Sequence, residues 1–348
     1  MRIGELEKIA NRRKLDLVLV VDQANIRALT GINCDNAILA LEIGRVGQVG
    51  RVGLYTDFRY IPMVHRVAPK LKCLDIKRFG KGKRRPRRFN RIGYESSIPH
   101  ARFLEWQKKF PKAKFVDISK DLAVIRAVKT PEEIAALRAA EKLNCEIWEM
   151  ARGKFKAGMT ERQMARIIQK VMIEKGEGEA FATIVCVGKN AAECHHEPDD
   201  TVWNGREPVL VDMGVKLGGV CSDLTRNLIP HPSSLYRQVY QLVLKANLAA
   251  IAAAKPGMTG KALDKVARDV IKKGGFGKCF GHSLGHGVGY EIHEAPYASK
   301  KGDMVLRPGM LVTIEPGIYL EDNLGVRIED LVLITETGCE VLSSSASK

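Results

Sequence analysis

The sequence predicts a two-domain α+β protein, in which a smaller α/β domain precedes a larger domain of helices and short strands. Three observations lead to this class. Residues 1–124 alternate between helical and strand patterns, a strong helix start follows at Thr130, and after Ala180 short strands come in groups divided by two helices. A chain of 348 residues is long enough for two cores. We therefore expect domains at residues 1–124 and 125–348, the second built of two similar halves.

The first domain is predicted from short segments of alternating character. Ile3, Leu6 and Ile9 have the spacing of one helix face, and the run L-V-L-V-V from Leu17 to Val21 is typical of a buried strand. The predicted helices span residues 3–14, 60–67 and 101–110, and the predicted strands span residues 16–21, 37–42, 53–55, 92–95 and 114–116.

The second domain opens with a helix-capping signal. Thr130 can cap a helix, Pro131 suits its first position, and Glu133 completes a capping box. Thr160 begins a second helix in the same way. Helices are predicted at residues 131–150, 161–175, 234–253 and 260–273, and strands at residues 183–187, 209–213, 221–228, 311–315 and 327–334.

The net charge is +16, and much of it is local. Residues 77–91 hold nine positive charges and no acid, which could attract nucleic acid. Gly80, Gly82 and Pro86 interrupt any regular display of these charges. We therefore interpret the segment as a solvated loop, and nucleic acid is not an expected partner.

The N-terminal residues lack the apolar stretch of a secretion signal, and Leu17–Val21 is too short to span a bilayer. None of the eight cysteines forms a C-x-x-C pair, which favours reduced thiols. The neighbours Cys194 and His195 are not expected to act as a nucleophile and base, because adjacent side chains seldom face each other. A soluble, cytoplasmic protein is expected.

Five side chains able to bind metal ions lie in the last part of the chain, each within a short motif. They are Asp212 in V-L-V-D-M-G, Asp223 in C-S-D-L-T-R, His286 in H-S-L-G-H-G-V-G, Glu315 in T-I-E-P-G-I-Y and Glu329 in V-R-I-E-D. Four carboxylates in one pocket would repel one another strongly unless cations neutralised them. Two divalent ions are the natural occupants, and two-metal sites suit hydrolysis.

The spacing of the two aspartates predicts a hairpin. If residues 216–219 form the turn, its centre falls between Leu217 and Gly218, and Asp212 and Asp223 lie directly opposite each other. Cross-strand neighbours are about 5 Å apart at Cβ, so both carboxylates could reach one metal pair. A single aspartate at a strand end more often starts a turn, but Asp212 ends the apolar run V-L-V.

The remaining candidates stand in unusual surroundings. His286 lies among four glycines in residues 281–289, which permit close backbone approach. Glu315 and Glu329 each follow an apolar strand residue, and Pro316 ends the ladder after the first. Buried glutamate is rare unless it is paired or binds metal. The five residues together indicate a metal site.

These motifs resemble the pita-bread metallopeptidases: aminopeptidase P, prolidase and methionine aminopeptidase. The segments R-I-G-E-L, N-I-R-A-L-T-G and Y-T-D-F-R-Y are similar to the creatinase/prolidase amino-terminal domain, and K-T-P-E-E-I-A-A-L-R resembles the family's lead-in helix. The resemblance covers nearly the whole chain. It implies a C-terminal pita-bread catalytic domain of two pseudo-symmetric halves, and a homodimer.

The resemblance also implies roles for individual residues. Asp212 would bind one metal, Asp223 and Glu329 would bridge both, and His286 and Glu315 would complete the second. Manganese suits this oxygen-rich set best, with cobalt and zinc as alternatives. A bridging hydroxide would attack the scissile carbonyl, and Glu315 would accept the proton.

Histidines match further positions of the family. His195 and His293 would contact the substrate and assist catalysis, while His282 would lie near the metals without binding them. The adjacent His196 could replace His195 in this role, or His195 could be an exposed loop residue. Arg327, in R-I-E, resembles the proline-directed members and would also bind substrate; methionine aminopeptidases usually have Gln there.

We therefore expect hydrolysis of the Xaa-Pro bond at the N-terminus of short peptides. Some prolidases place an Arg, which holds a dipeptide's carboxylate, where this chain has Tyr297. That difference favours aminopeptidase P, with prolidase as the alternative. Methionine aminopeptidase and a non-catalytic binding protein are weaker alternatives, and creatinases lack the metal ligands.

Overall fold

The structure, a computed structural model, describes residues 1–44, 49–79 and 89–348. The chain divides into two compact units, Met1–Arg126 and Ala127–Lys348. Most of the basic segment 77–91 lies outside the described residues, so its prediction stays open. None of the described helices is both long and apolar enough to cross a membrane.

The first unit is a six-stranded mixed sheet with helices on both faces. Its helices are α1 (Ile3–Arg13), α2 (Gln23–Thr30), α3 (Ile61–Val67), α4 (His100–Lys109) and α5 (Ser119–Ala127). Its strands are β1 (Leu17–Val20), β2 (Ala37–Ile43), β3 (Val49–Thr56), β4 (Cys73–Asp75), β5 (Arg91–Tyr94) and β6 (Lys114–Asp117), in the order β4-β3-β2-β1-β5-β6.

The central strand β1 explains why apolar residues follow one another without alternation. Val18 and Val20 pack with α1, α2, α3 and α5 on one face, whereas Leu17 and Leu19 pack with Trp106 of α4 on the other. A strand covered on both faces reads as a continuous apolar run. Helix α2 was not predicted; it is short, and the Asp22 side chain caps it by accepting the Asn25 N–H.

Glu95 is a buried carboxyl at the edge of this unit. It accepts the Val21 and Asp22 N–H groups at 2.9 and 3.0 Å. Burial, and next the charge of Asp22, raise its pKa to about 7. The native state therefore holds a proton that the unfolded chain releases, so this contribution to stability is lost as pH rises from the unfolded to the folded pKa.

We expect wild type to lose about 3 kcal/mol more unfolding free energy than Glu95→Gln between about pH 5 and pH 8, because glutamine does not titrate. Denaturant unfolding of both proteins at the two pH values measures this difference. If the unfolding free energies of the two proteins changed with pH in parallel, Glu95 would be ionised in the folded unit at no cost in stability.

The second unit begins with α6 (Pro131–Arg152) and α7 (Glu161–Lys175) and continues with α8 (Ser234–Ala253) and α9 (Gly260–Lys273). Its strands are β7 (Ile184–Val187), β8 (Val209–Met213), β9 (Lys216–Leu217), β10 (Val220–Cys221), β11 (Leu224–Leu228), β12 (Gly285–Gly287), β13 (Glu294–Ala298), β14 (Leu311–Ile314), β15 (Gly317–Leu320), β16 (Leu324–Arg327), β17 (Asp330–Ile334) and β18 (Cys339–Val341). The predicted capping boxes at Thr130 and Thr160 are confirmed, with Glu133 and Gln163 as partners.

Two three-stranded sheets form the halves of this unit. The first, β11-β8-β7, shares an apolar core with α6 and α7, and the second, β14-β17-β18, shares one with α8 and α9. The hairpins β9–β10, β12–β13 and β15–β16 form separate two-stranded sheets. The α+β class with two similar halves is confirmed.

The predicted pairing of Asp212 with Asp223 is wrong by two residues. Asp212 lies opposite Thr225, and Leu217 pairs with Val220. Gly218 and Gly219 form the turn, with φ values of 61° and 69°. A two-residue hairpin turn favours positive φ at both central positions, which sets the centre between the two glycines.

Candidate metal centre

A cavity of about 470 Å³ in the second unit brings the five predicted ligands together. Asp212, Asp223, His286, Glu315 and Glu329 all line it. Ligand atoms of Asp223, His286 and Glu329 lie within 4.8 Å of one another. Residues separated by more than a hundred positions in sequence thus converge on one concave site.

Three of the carboxylates stand where a strand is interrupted. Asp223 lies between β10 and β11, Glu315 between β14 and β15, and Glu329 between β16 and β17. Single strands were predicted over residues 221–228 and 327–334, so these interruptions were missed. At a break the chain leaves one sheet for another, and the side chain there can turn into the cavity between them.

Two of the carboxylates, Glu315 and Glu329, each accept a hydrogen bond from a threonine hydroxyl. Thr313 Oγ1 donates to Glu315 Oε1 at 3.1 Å, and Thr225 Oγ1 donates to Glu329 Oε2 at 2.8 Å. Thr313 Oγ1 also accepts the His286 backbone N–H at 2.9 Å. These hydrogen bonds fix the orientations of the Glu315 and Glu329 carboxylates.

His286 presents one ring nitrogen to the carboxylates. Its Nδ1 lies 3.1 Å from the Gly287 carbonyl, a contact that places the proton on Nδ1. Its Nε2 lies 3.3 Å from Glu315 Oε1 and 3.5 Å from Asp223 Oδ2. Nε2 therefore faces the position that a metal ion bound by these carboxylates would occupy.

Arg327, predicted to bind substrate, forms several hydrogen bonds within the protein. Its Nη2 donates to Asp212 Oδ2 at 2.7 Å, Nη1 donates to Tyr319 Oη at 2.8 Å, and Nε donates to Thr225 Oγ1 at 3.1 Å. The side chain is almost fully buried, although it lines the cavity. Its hydrogen bond to Asp212 orients that carboxylate.

The carboxylates carry the electrostatic signature of a crowded anionic site. Burial raises the pKa of Asp223 and of Glu329 well above the usual range, and repulsion among the carboxylates adds to it. The pKa of Asp212 is also raised, by burial first, against the opposing charge of Arg327. Burial acts on Glu315 in the same direction, but His286 outweighs it and lowers that pKa.

The residues fit divalent metal ions. Asp212 Oδ1 is buried and has no hydrogen-bond partner within the described part of the chain. Four carboxylates and one imidazole provide hard oxygen donors with a single nitrogen, the set that Mn²⁺ and similar ions favour. Cations would remove both the repulsion and the unsatisfied oxygen.

The other histidines surround the same cavity. His195 and His293 are exposed, and the His293 ring lies 4.3 Å from that of His286, edge to face. His282 contacts Tyr319 Oη at 3.0 Å through Nε2, with Nδ1 4.0 Å from Glu315. His196 is buried, and its Nε2 lies 2.7 Å from Glu161 Oε2, so it is not available to substrate.

Two supporting residues were not predicted. Tyr319 Oη joins Arg327 to His282, and Glu141 Oε2 accepts the Asp223 N–H at 3.1 Å. A signal for Glu141 existed in the sequence. It occupies the buried stripe of α6 together with Leu137, Asn144 and Trp148, where an ionisable group requires a partner.

Comparison with known proteins gives two family matches. Residues 135–336 match Metallopeptidase family M24, and residues 2–128 match the Creatinase/Prolidase N-terminal domain. The first match covers more than half of the chain. The chain belongs to metallopeptidase family M24. Membership of M24 implies divalent metal ions, and the donor set described above is suited to them.

Relatives of this M24 metallopeptidase include Xaa-Pro peptidases of two kinds. The Xaa-Pro dipeptidase of Pyrococcus furiosus is 44% identical over 190 residues, 54% of this chain and 55% of the relative. The solved prolidase from Pyrococcus furiosus has a TM-score of 0.88 at 33% identity, with 97% of this chain and 98% of that one covered. The X-Pro aminopeptidase from Thermotoga maritima has a TM-score of 0.84 at 30% identity, with 96% and 97% covered. The sequence alignment with the dipeptidase thus spans about half of each chain. The structural similarity to the solved prolidase spans nearly the whole of each chain.

Proposed function

We propose that this M24 peptidase hydrolyses Xaa-Pro dipeptides. The observation that carries the proposal is the convergence of Asp212, Asp223, His286, Glu315 and Glu329 on one cavity. The relatives support a dipeptidase more than the aminopeptidase P that the sequence favoured. The main expectation from the sequence is therefore replaced by its alternative.

We propose that the five residues hold two divalent ions, with manganese as the native metal. Asp212, Asp223 and Glu329 would hold one ion, and Asp223, Glu329, His286 and Glu315 the other. When bound, the ions supply positive charge for the developing oxyanion and lower the pKa of a water molecule. Buried carboxylates at these positions are compatible with that charge.

The chain's own groups are assigned the remaining tasks. Glu315 accepts the proton of the attacking water, since its carboxylate lines the cavity and is oriented by the Thr313 hydroxyl. His293 donates a hydrogen bond to the scissile carbonyl from its place against the His286 ring. His195, which lines the same cavity, contacts the proline side of the substrate. Arg327 orients Asp212 through its 2.7 Å hydrogen bond and lines the cavity that receives the peptide, and His282 lies near the metals without binding them.

A second candidate is the removal of Xaa from longer Xaa-Pro peptides. Tyr297, at the position where some prolidases carry Arg, is about half exposed and is not among the residues lining the cavity. A second cavity of about 210 Å³ shares His282 and Ser283 with the first and is lined by Arg268, Lys300 and Lys301. Lys300 and Lys301 provide positive charge there for the carboxylate of a tripeptide.

A panel of three peptides with added manganese tests both candidates. We expect cleavage of an Xaa-Pro dipeptide, loss of activity on chelation, and recovery with Mn²⁺. The melting temperature should also rise with metal, because the ions bind the folded state only. Activity that survives prolonged chelation would contradict a metallopeptidase.

The other two peptides separate the alternatives. Preference for an Xaa-Pro-Yaa tripeptide, reduced by Lys300→Ala with Lys301→Ala, would replace the dipeptidase by an aminopeptidase P. Preference for Met-Ala-Yaa would indicate methionine removal. A Lys265→Ala variant, which changes an exposed lysine on α9, serves as the matched control for charge.

We also propose the organisation expected from the sequence. Residues 125–348 carry catalysis, residues 1–124 form the amino-terminal domain, and the protein acts as a homodimer in the cytoplasm. No disulfide joins any of the eight cysteines, all of which lie in the described part of the chain, and this is compatible with a reducing compartment.

A further inference from the structure

Glu161 is a buried carboxylate outside the metal centre that collects four hydrogen bonds. It stands at the first position of α7 and is fully buried. Its Oε1 accepts the Val187 N–H at 2.6 Å and the Asn190 side-chain amide at 2.9 Å. Its Oε2 accepts His196 Nε2 at 2.7 Å and the Asp199 N–H at 3.1 Å. One side chain thus joins the end of β7 to the segment 193–199.

This segment carries His195 into the cavity. The preceding carbonyl, that of Cys194, receives Arg327 Nη1 at 3.5 Å, and the following side chain, His196, is held by Glu161. His195 itself is exposed and forms no hydrogen bond with the described residues. The backbone on each side of His195 is therefore fixed while its imidazole stays available.

We propose that Glu161 and His196 are positioning residues that hold the 193–199 segment so that His195 meets the substrate. The inference rests on the proposed function, because His195 matters only if the cavity binds a peptide. From the sequence, either His196 could replace His195 as the substrate contact, or His195 could be an exposed loop residue. The proposed role of His196, the buried residue of the two, differs from both alternatives.

A metal-binding role for the cluster fits less well. Glu161, His196 and Asp199 lie close enough together to hold a metal ion. The 2.7 Å contact between His196 Nε2 and Glu161 Oε2, however, has the length of a direct charge-assisted hydrogen bond. Both carboxylate oxygens of Glu161 also accept hydrogen bonds from the protein, so neither is left to bind a metal ion.

The charge state of His196 strengthens the contact. Burial acts to lower its pKa, but Glu161 outweighs this effect and the pKa is raised. Glu193 Oε2 lies 3.3 Å from Nδ1 and adds to the shift, as does Asp199. Nε2 contacts Glu161 and so ties the segment to α7, while Nδ1 contacts Glu193 within the segment itself.

A double-mutant cycle with His195 tests the proposal. We expect His196→Leu to lower kcat/KM for an Xaa-Pro dipeptide by about 10- to 100-fold, as misplacement of a substrate-contacting group does. In a His195→Ala background the same change should have little further effect, because the contact that it positions is already absent. Manganese affinity should stay unchanged in every variant.

Further variants separate positioning from damage to the fold. His196→Gln retains a donor toward Glu161 and should restore much of the activity, whereas the exposed His231→Leu serves as the control. Glu161→Gln provides a second test. It should both speed hydrogen exchange at the Val187 and Asp199 amides, which donate to Glu161, and lower kcat/KM. This variant keeps the test open if His196→Leu does not fold.

The outcomes distinguish this inference from the proposed function. Suppose that wild type cleaves the dipeptide, but His196→Leu leaves kcat/KM unchanged or lowers it equally with His195 and with Ala at position 195. The positioning role is then overturned while the proposed function stands. If wild type cleaves none of the peptides, the proposed function fails and the inference fails with it.

Discussion

Replacing Asp223 with asparagine is expected to abolish peptide hydrolysis while leaving the fold intact. Asparagine has the same size and keeps the backbone N–H that Glu141 accepts. It removes a carboxylate whose Oδ2 faces His286 Nε2 at 3.5 Å. Metal-assisted stabilisation is worth several kcal/mol in the transition state, so kcat/KM should fall by about 10³-fold or more.

The same substitution should separate activity from stability. Asp223 is a buried acid repelled by Glu329, Asp212 and Glu315. Removing its charge relieves this repulsion, so metal-free Asp223→Asn should melt no lower than metal-free wild type. Added manganese should raise the melting temperature of wild type far more than that of the variant.

The controls are a partly exposed aspartate and a metal titration. Asp269→Asn on α9 changes the same functional group outside the site and should leave activity unchanged. Calorimetry with Mn²⁺ should show weakened binding only in Asp223→Asn. Retention of wild-type activity in that variant would exclude Asp223 from the metal centre.

Replacing Arg226 with methionine should cause the largest loss of stability. The guanidinium is 1% exposed and donates to Asp330 Oδ1 at 3.1 Å. It also donates to four backbone carbonyls, those of Thr225, Glu329, Ser343 and Ala346. Removing one partner of a buried ion pair costs about 3–5 kcal/mol. Lys348, 2.6 Å from Asp330, offsets part of the lost charge, which places the expected loss near the lower end.

Arg226 also connects stability to the metal centre, because one carbonyl that it holds belongs to Glu329. We expect lower manganese affinity in Arg226→Met together with the lower unfolding free energy. Arg226→Lys should give an intermediate loss, since it keeps the charge without the planar fork. The exposed Arg237→Met should change stability by no more than about 0.5 kcal/mol. Equal denaturation midpoints for Arg226→Met and Arg237→Met would contradict the assignment.

Local chemistry made much of the fold predictable. Thr130 and Thr160 start helices through contacts within four residues, so their capping boxes could be found without knowing the fold. The apolar run ending at Asp212 likewise forms β8 as expected. The five candidate ligands are named by short motifs that need no distant partner to be recognised.

The register and the breaks of the strands could not be found in this way. The hairpin was misplaced because the pattern alone does not say which two residues adopt positive φ; Gly218 and Gly219 do. The strand was expected to pass through Glu329 because Ile328 continues the apolar pattern. It ends there because β16 pairs with β15, whereas β17 pairs with β14 and β18.

The glycine-rich segment around His286 shows the same limit. It was recognised as unusual, yet its strand β12 was not predicted. A Cβ at Gly285 would lie 1.9 Å from the Thr313 carbonyl oxygen, so only glycine permits β14 to pack this closely. That requirement comes from a strand 28 residues away and is invisible in the local sequence.

By itself the sequence determined which side chains could bind metal and where the helices begin, because donor chemistry and helix caps act over a few residues. Only the tertiary structure decided that Arg327 holds Asp212 and that His196 is buried on Glu161 while His195 is exposed. These assignments depend on which segments lie side by side after folding. A charged or aromatic side chain takes its role from the partner that burial leaves within reach.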